Sequence, residues 1–423
     1  MRRLLYTCVY RLALPLIFVR LWWRGRQNPA YRLRWAERLG RYRTPPLQQP
    51  AVMFHAVSVG EVHAAVPLID QFLRAHPVVP VVVTTTTPTG SARVQQLFGD
   101  RVHHVYLPYD LPASVRRFLR HFRPALLVLL ETELWPNLLQ GCSEHQCPVL
   151  LVNARLSPKS LASYQRIAAL TKQMLQQLTL VAAQAQADGE RFIALGLPAD
   201  KLQVCGSLKY DMTLQQDKIA AARRLKAQWQ SRSVWIAAST REGEDAPVLQ
   251  AFAQALQTLP SLLLVLVPRH PERFGTASDD AAAAGLKVLR QSSGGLVTPG
   301  TQVLVGDTLG DMHFYYSLAD VAFVGGSLVN TGCQNIIEAA ALGLPVVTGP
   351  SLFNFQAASD ALRAAGGMLV VADTAALGRL LVELLQDEPR RQQMANRAQA
   401  VVAANLGATT RLFELVERYW RNH

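Results

Sequence analysis

Acidic residues are almost missing from the start of this chain. Residues 1–50 hold one, Glu37, against eleven arginines, a local surplus of ten that makes up most of the formal charge of +13. Cysteine is scarce, with five residues at positions 8, 142, 147, 205 and 333. Cys142 and Cys147 form a C-x4-C pair, but no second pair completes a zinc site. Scattered free thiols fit a reducing compartment. No low-complexity tract is present and 50% of residues are hydrophobic, which excludes a disordered protein. No internal repeat has a solenoid period, and no stretch after residue 25 reads as a membrane span. What remains is a chain of 423 residues, long enough for two domains and a sizeable core.

A basic arm can bind nucleic acid, but this one is also apolar, and no nucleic-acid partner is expected. Leu4 to Trp23 reads LLYTCVYRLALPLIFVRLWW, about the length of a bilayer-spanning helix. Trp22-Trp23 followed by Arg24-Gly25-Arg26 has the order of an aromatic belt and basic anchors. A cleaved signal peptide fits poorly, because Arg11 interrupts the apolar core and no small-x-small site follows. A full span would carry Arg11 near its middle at a cost of about 2.5–3.5 kcal/mol. An in-plane anchor avoids that cost and sets the arginines against an anionic membrane surface. Membrane anchoring through residues 1–26 is the expectation, by either geometry. The positive flank keeps the body on the cytoplasmic side.

A Pro/Gln-rich break, Thr44 to Pro50, follows the anchor. Then strand and helix signals alternate. Strands are expected at Val52–Phe54, Val78–Thr84, His104–Tyr106, Ala125–Leu130, Val149–Val152, Val181–Ala183 and Leu202–Val204, with helices between many of them. The pattern pauses near 206–217 and restarts at Val234–Ala237. This spacing predicts an α/β protein with two parallel, doubly wound domains. The first runs over 45–210 and the second over 230–388, joined by a linker at 211–229. A single amphipathic helix is expected over 389–423. Such domains take ligands beyond the carboxyl ends of their strands, in a cleft between them.

Several motifs sit at predicted strand ends. In Phe54-His55-Ala56-Val57-Ser58-Val59-Gly60-Glu61, Glu61 stands where a general base for an acceptor hydroxyl is needed. The same position suits a glutamate that complements the helix dipole. Glu131-Thr132-Glu133-Leu134-Trp135-Pro136-Asn137 places two carboxylates after the run ALLVLL. One can meet substrate; the other can cap the helix begun at Pro136. Lys209, in Gly206-Ser207-Leu208-Lys209-Tyr210-Asp211, can neutralise charge developing at a reaction centre, or stand as a solvated surface lysine. In Val267-Pro268-Arg269-His270-Pro271, Arg269 can fork onto a phosphate. Finally, Val321–Val324 reads as a buried strand, Gly325-Gly326-Ser327 turns it, and Asn335-Ile336-Ile337-Glu338 opens a helix that Gly343 ends. Strand, glycine loop and helix start make an anion site, with Glu338 placed to accept ribose hydroxyls. Activated-sugar chemistry is the first reading.

Together HAVSVGE, ETELWPN, NARLS, GSLKYD, PRHPERF, DTLGD and GGSLV…N-x-x-E resemble the 3-deoxy-D-manno-octulosonic acid (Kdo) transferases of lipopolysaccharide synthesis. The likeness runs over nearly the whole chain. It implies a GT-B fold of two Rossmann-like domains with a cleft, plus an N-terminal membrane-anchoring helix. It implies CMP-Kdo as donor substrate, with no separate cofactor and no metal. The implied acceptor is lipid IVA, met at the cytoplasmic side of the cell inner membrane. Glu61 falls on the family's proton acceptor, and Glu131 and Lys209 on its transition-state-stabilising positions. Pro268, Arg269, Leu309, Gly310, Asp311, Asn335, Ile336, Ile337 and Glu338 fall on its CMP-binding segments. The chain departs from the family pattern at Gly332-Cys333-Gln334, where the pattern is Gly-Gly-His, and at Asp311, where it has Glu.

The reaction expected of these residues is an inverting single displacement. A glucosamine 6′-hydroxyl attacks the anomeric carbon of Kdo, Glu61 takes its proton, and CMP leaves. Two other functions suit the residues. One is a GT-B transferase that uses a UDP-sugar. The other is a membrane-bound nucleotide-sugar binding protein without turnover.

Overall fold

The computed structural model describes residues 2–229 and 231–421. Met1, Gln230, Asn422 and His423 lie outside the described residues; the expected anchor and second domain begin, and the terminal helix ends, on them. The chain divides into two compact units, Met1–Asp211 with Gly407–His423, and Met212–Leu406.

The first unit is built on seven parallel strands: β1 (Ala51–His55), β2 (Val81–Thr85), β3 (His103–Tyr106), β4 (Pro124–Leu130), β5 (Val149–Ala154), β6 (Leu180–Ala183) and β7 (Leu202–Val204). They lie in the order β3-β2-β1-β4-β5-β6-β7. The central strands are continuous apolar runs because both faces are covered by helices. Met53, Leu127 and Leu129 enter one core, while Val52, Phe54 and Val128 enter the other. In register, Phe54 pairs with Val83 on one side and Val128 on the other.

The N-terminal helix Arg2–Arg24 belongs to this unit and is long and apolar enough to cross a membrane. One of its faces is docked on the unit along nearly its whole length. Near its start, Arg3 and Thr7 bond the Asn137 side chain and Tyr6 packs on the core. Farther on, Phe18 stacks 5.0 Å from Trp35 and 5.7 Å from Tyr109, and Leu21 is buried. Asn137 is itself held by Asp110, whose carboxylate accepts the Asn137 and Leu138 N–H groups at 2.9 and 2.8 Å.

The second unit repeats the plan with β8 (Val234–Thr240), β9 (Leu263–Pro268), β10 (Val288–Arg290), β11 (Val303–Val305), β12 (Val321–Val324), β13 (Val346–Thr348) and β14 (Met368–Val370). Their order is β10-β11-β9-β8-β12-β13-β14, again all parallel. In both sheets the chain reverses its direction of winding at one point, between β1 and β4 and between β8 and β12. Ligand sites in open α/β sheets gather at such points.

Two segments differ from expectation. The stretch 211–229, read as a linker, carries the helix Gln216–Ala227, which buries Ile219 and Ala222 and belongs to the second unit. The stretch 389–423, read as one helix, is two: Glu388–Ala404 and Ala408–Arg421. Gly407, at φ +86°, breaks them. The Asp211 carboxylate caps the new start through the Gly407 and Thr409 N–H groups. The last helix then lays Leu412, Leu415 and Val416 into the first unit's core.

Candidate active site

In the first unit, β1 ends at His55 and Ser58 caps the helix Val59–Ala75. Ser58 accepts the Glu61 N–H, and Glu61 reaches back to the Ser58 hydroxyl at 2.9 Å and the Val57 N–H at 2.8 Å. This reciprocal cap fixes the carboxylate at the helix start. Burial, the largest influence, pushes the Glu61 carboxyl up to about 7; the Val57 and Ser58 hydrogen bonds hold it down, and the charges of Glu131 and Glu133 push it up further.

Glu131 follows β4, the strand beside β1. Its φ of +56° is a left-handed conformation uncommon outside glycine, and its N–H is tied to the Val152 carbonyl at 3.1 Å. Strain of this kind gathers at functional sites. Lys209 arrives from the loop after β7, and its ammonium lies 3.6 Å from the Glu131 carboxylate. What holds that loop is Asn153, fully buried at φ +51° in β5, whose side-chain oxygen accepts the Leu208 N–H at 3.1 Å. The structure therefore brings Glu61, Glu131 and Lys209 to one end of one sheet. Sequence reasoning gave Asn153 and His55 no role, although a buried polar residue inside an apolar strand motif is a signal for one.

The donor-type motifs gather at the strand ends of the second unit. Gly325 is tight against β8, where a Cβ would lie 2.7 Å from the Thr240 Cα. The loop it opens is held by a residue to which the sequence assigns no role. The fully buried Glu244 carboxylate accepts the N–H groups of Gly326, Ser327, Leu328 and Arg241, at 2.5, 3.0, 2.9 and 2.8 Å. Asn335 caps the short helix Ile336–Ala341 by accepting the Ile337 N–H, and its amide donates to Glu338 at 2.9 Å. Burial raises the Glu338 carboxyl, while Asn335 and the Arg269 charge act against the rise. Ile336 and Ile337, at 0% and 1% exposed, turn their side chains into the core.

Pro268 is the last residue of β9, and Arg269 follows it, exposed, with its N–H on the Thr240 carbonyl. Arg241 meets His270 at 2.8 Å beside it, so cationic groups crowd this strand end. The Leu309-Gly310-Asp311 loop lies after β11. Leu309 is exposed, Gly310 takes φ +81°, and Asp311 pairs with Lys218 at 2.6 Å. Burial would raise the Asp311 carboxyl, but Lys218 and Thr308 pull it below the usual range. With Gln291, Thr308 and Phe314 this pair lines a pocket of about 240 Å³. Gln334 turns its amide onto the Gly332 carbonyl. Among the described residues no three His, Cys, Asp or Glu side chains gather as metal ligands.

Residues 33–212 match the family described as 3-deoxy-D-manno-octulosonic-acid transferase (kdotransferase). A 3-deoxy-D-manno-octulosonic acid transferase of Haemophilus influenzae is 40% identical over 99% of both chains. One of Bordetella pertussis is 41% identical, again over 99% of each. Among solved structures, the UDP-GlcNAc 2-epimerase of Neisseria meningitidis covers 87% of the chain and 100% of its own length at a TM-score of 0.60. At 16% identity that likeness speaks of fold alone: two Rossmann-like α/β units of the GT-B kind.

Proposed function

This chain belongs to the 3-deoxy-D-manno-octulosonic acid transferase family, and we propose that it moves Kdo from CMP-Kdo to lipid IVA by an inverting single displacement. The observation that carries this reading is Glu61: a carboxylate fixed at a helix start, with an affinity for protons near neutrality, beside Glu131 and Lys209. A base poised near working pH is matched to taking a proton from a sugar hydroxyl. As the glucosamine 6′-hydroxyl oxygen bonds the anomeric carbon, its proton passes to Glu61 and the bond to the CMP phosphate breaks. Lys209 stabilises charge in that transition state, and Glu131 holds the lysine in place. Arg269 and Arg241 suit the departing phosphate, and the half-buried Glu338 suits the ribose hydroxyls. Asp311, one methylene shorter than the family's glutamate and bound to Lys218, orders its loop rather than reaching far. CMP-Kdo is the sole donor in this reading, and no metal takes part.

The acceptor is a lipid, and the N-terminal helix fits that partner. Leu5, Val9, Leu12, Leu16, Val19 and Trp23 form an exposed apolar stripe opposite the docked face. We infer that the helix lies in the membrane plane, with Arg24, Arg26 and Arg32 at anionic head groups on the cytoplasmic side of the inner membrane. Incubation of the full chain with CMP-Kdo and lipid IVA, followed by mass spectrometry, tests the function. Added Kdo mass is expected, with inhibition by CMP and not by UDP. No added mass would overturn the reading in favour of a binding protein, and UDP inhibition would favour another sugar donor.

A further inference from the structure

His55 is fully buried at the end of β1, and its Nε2 has no hydrogen-bond partner. Nδ1 lies 2.9 Å from the Thr84 hydroxyl oxygen. That hydroxyl can donate to the Phe54 carbonyl at 3.4 Å while accepting from an Nδ1–H, or donate to a bare Nδ1. Both tautomers satisfy Thr84, so the other ring nitrogen decides between them. Nε2 faces the Glu133 carboxylate at 3.9 Å. A hydrogen there points at an anion; a bare lone pair would face one at a cost, with neither group satisfied. Glu133 is also held by the Trp135 indole N–H at 2.9 Å. The buried end of the strand thus supplies a donor, and the ETELWPN loop supplies the carboxylate it faces.

We propose that His55, as its Nε2–H tautomer, is a positioning residue that keeps Glu133 turned toward the Glu61 end of the sheet. The proposal rests on the reading of Glu61 as the base. Glu133 adds negative charge beside Glu61 and so strengthens it as a base; released into water, its charge would be screened. The titratable groups around the pair are Glu61 and Glu131, with Lys209 on Glu131, and Tyr164, which also feels the Glu133 charge. His55 touches none of the reacting atoms in this scheme. It acts through Glu133.

The amide of glutamine can place a donor where Nε2 stands, and that of asparagine cannot reach it. In H55N the acid limb of the kcat/KM profile is expected to move down by about half a pH unit, with kcat lowered about two- to threefold. E133Q should move the limb the same way, the double variant should add little, and H55Q should restore most of both. An H55N profile that overlays the parent's, beside an inactive E61Q, overturns the positioning role and leaves the base standing. An active E61Q overturns the base itself. Imidazole ¹⁵N resonances of the full chain in detergent test the contact without turnover or a buried substitution. A protonated Nε2 and an unprotonated Nδ1 are expected for His55, with the Nε2 resonance moving in E133Q. An Nε2 that is unprotonated, or unmoved in E133Q, overturns the contact.

Discussion

The Lys209 ammonium reaches the Glu131 carboxylate at 3.6 Å through a loop that the buried Asn153 side chain pins to the neighbouring strand. Position and charge therefore depend on different residues. K209M keeps the stem and removes the charge. It should lower kcat about 10²-fold, in the range of a lost transition-state donor, while CMP binding by calorimetry stays unchanged. N153A should lower kcat and stability together, because it frees the loop and leaves the Leu208 N–H without its acceptor. A K209M enzyme within twofold of the parent would exclude Lys209 from the reaction.

Glu61 makes stability depend on pH in a direction opposite to most carboxylates. Its folded-state value is about 7, against 4.5 for an ordinary glutamate. Between those values the folded chain holds a proton that the unfolded chain has released. The stabilisation is full below pH 4.5 and lost as pH rises through 7, by about 3 kcal/mol at most. Urea midpoints should fall from pH 5 to pH 8 in the parent and lose most of that slope in E61Q. Activity should run the other way, with an acid limb in kcat/KM near pH 7. Parallel slopes in parent and E61Q would show that Glu61 is not the titrating group.

The strands were legible because parallel strands buried on both faces write themselves as apolar runs, such as Leu126–Leu130. Turn glycines and the Asn335 cap marked helix ends just as clearly. The helix Gln216–Ala227 was not legible: it buries little besides Ile219 and Ala222 amid charged positions. The same holds for the break at Gly407, whose meaning depends on Asp211 from another part of the chain. In the site, Glu61 and Glu131 stood out as carboxylates at predicted strand ends. The partners that hold such groups did not, because Lys218 on Asp311 and Glu244 on the glycine loop are contacts between distant segments. Ile336 and Ile337 show the converse. They sit inside a motif read as donor-binding, yet their side chains are buried.

Glu244 is the keystone of the glycine loop, accepting four backbone N–H groups while fully buried. E244A would leave those donors without a partner and without water. At roughly 1 kcal/mol or more for each, the second unit should lose about 4 kcal/mol and melt about 10 °C lower. E244Q keeps the shape but swaps an acceptor for a donor, and should fall between. CMP affinity should drop in E244A even at temperatures where the unit is folded, because the loop backbone is no longer aimed. Differential scanning calorimetry and CMP titration read both effects. A melting point unchanged in E244A would mean the loop is held by other means.

The N-terminal helix separates its two faces cleanly enough to be tested one face at a time. Leu5, Leu12, Leu16 and Val19 are 67, 80, 72 and 62% exposed and belong to the outward stripe. Replacing all four with glutamine should leave the melting point of the detergent-solubilised protein unchanged. Binding to vesicles containing anionic lipid should weaken roughly 10³-fold, given about 1 kcal/mol or more for each apolar side chain kept out of the bilayer. The residual binding should come from the arginine flank and fade with added salt. Phe18→Gln acts on the other face, against Trp35 and Tyr109, and should lower the melting point while the lipid-facing stripe is intact. Orientation follows from the same docking. On the in-plane reading the helix stays held by the first unit and does not pass through the bilayer. A protease site added before Met1 should therefore stay open to protease outside sealed vesicles carrying the bound protein. Protection of that site would mean that the helix crosses, and that the face holding Arg3, Phe18 and Leu21 lets go of the body when it meets lipid.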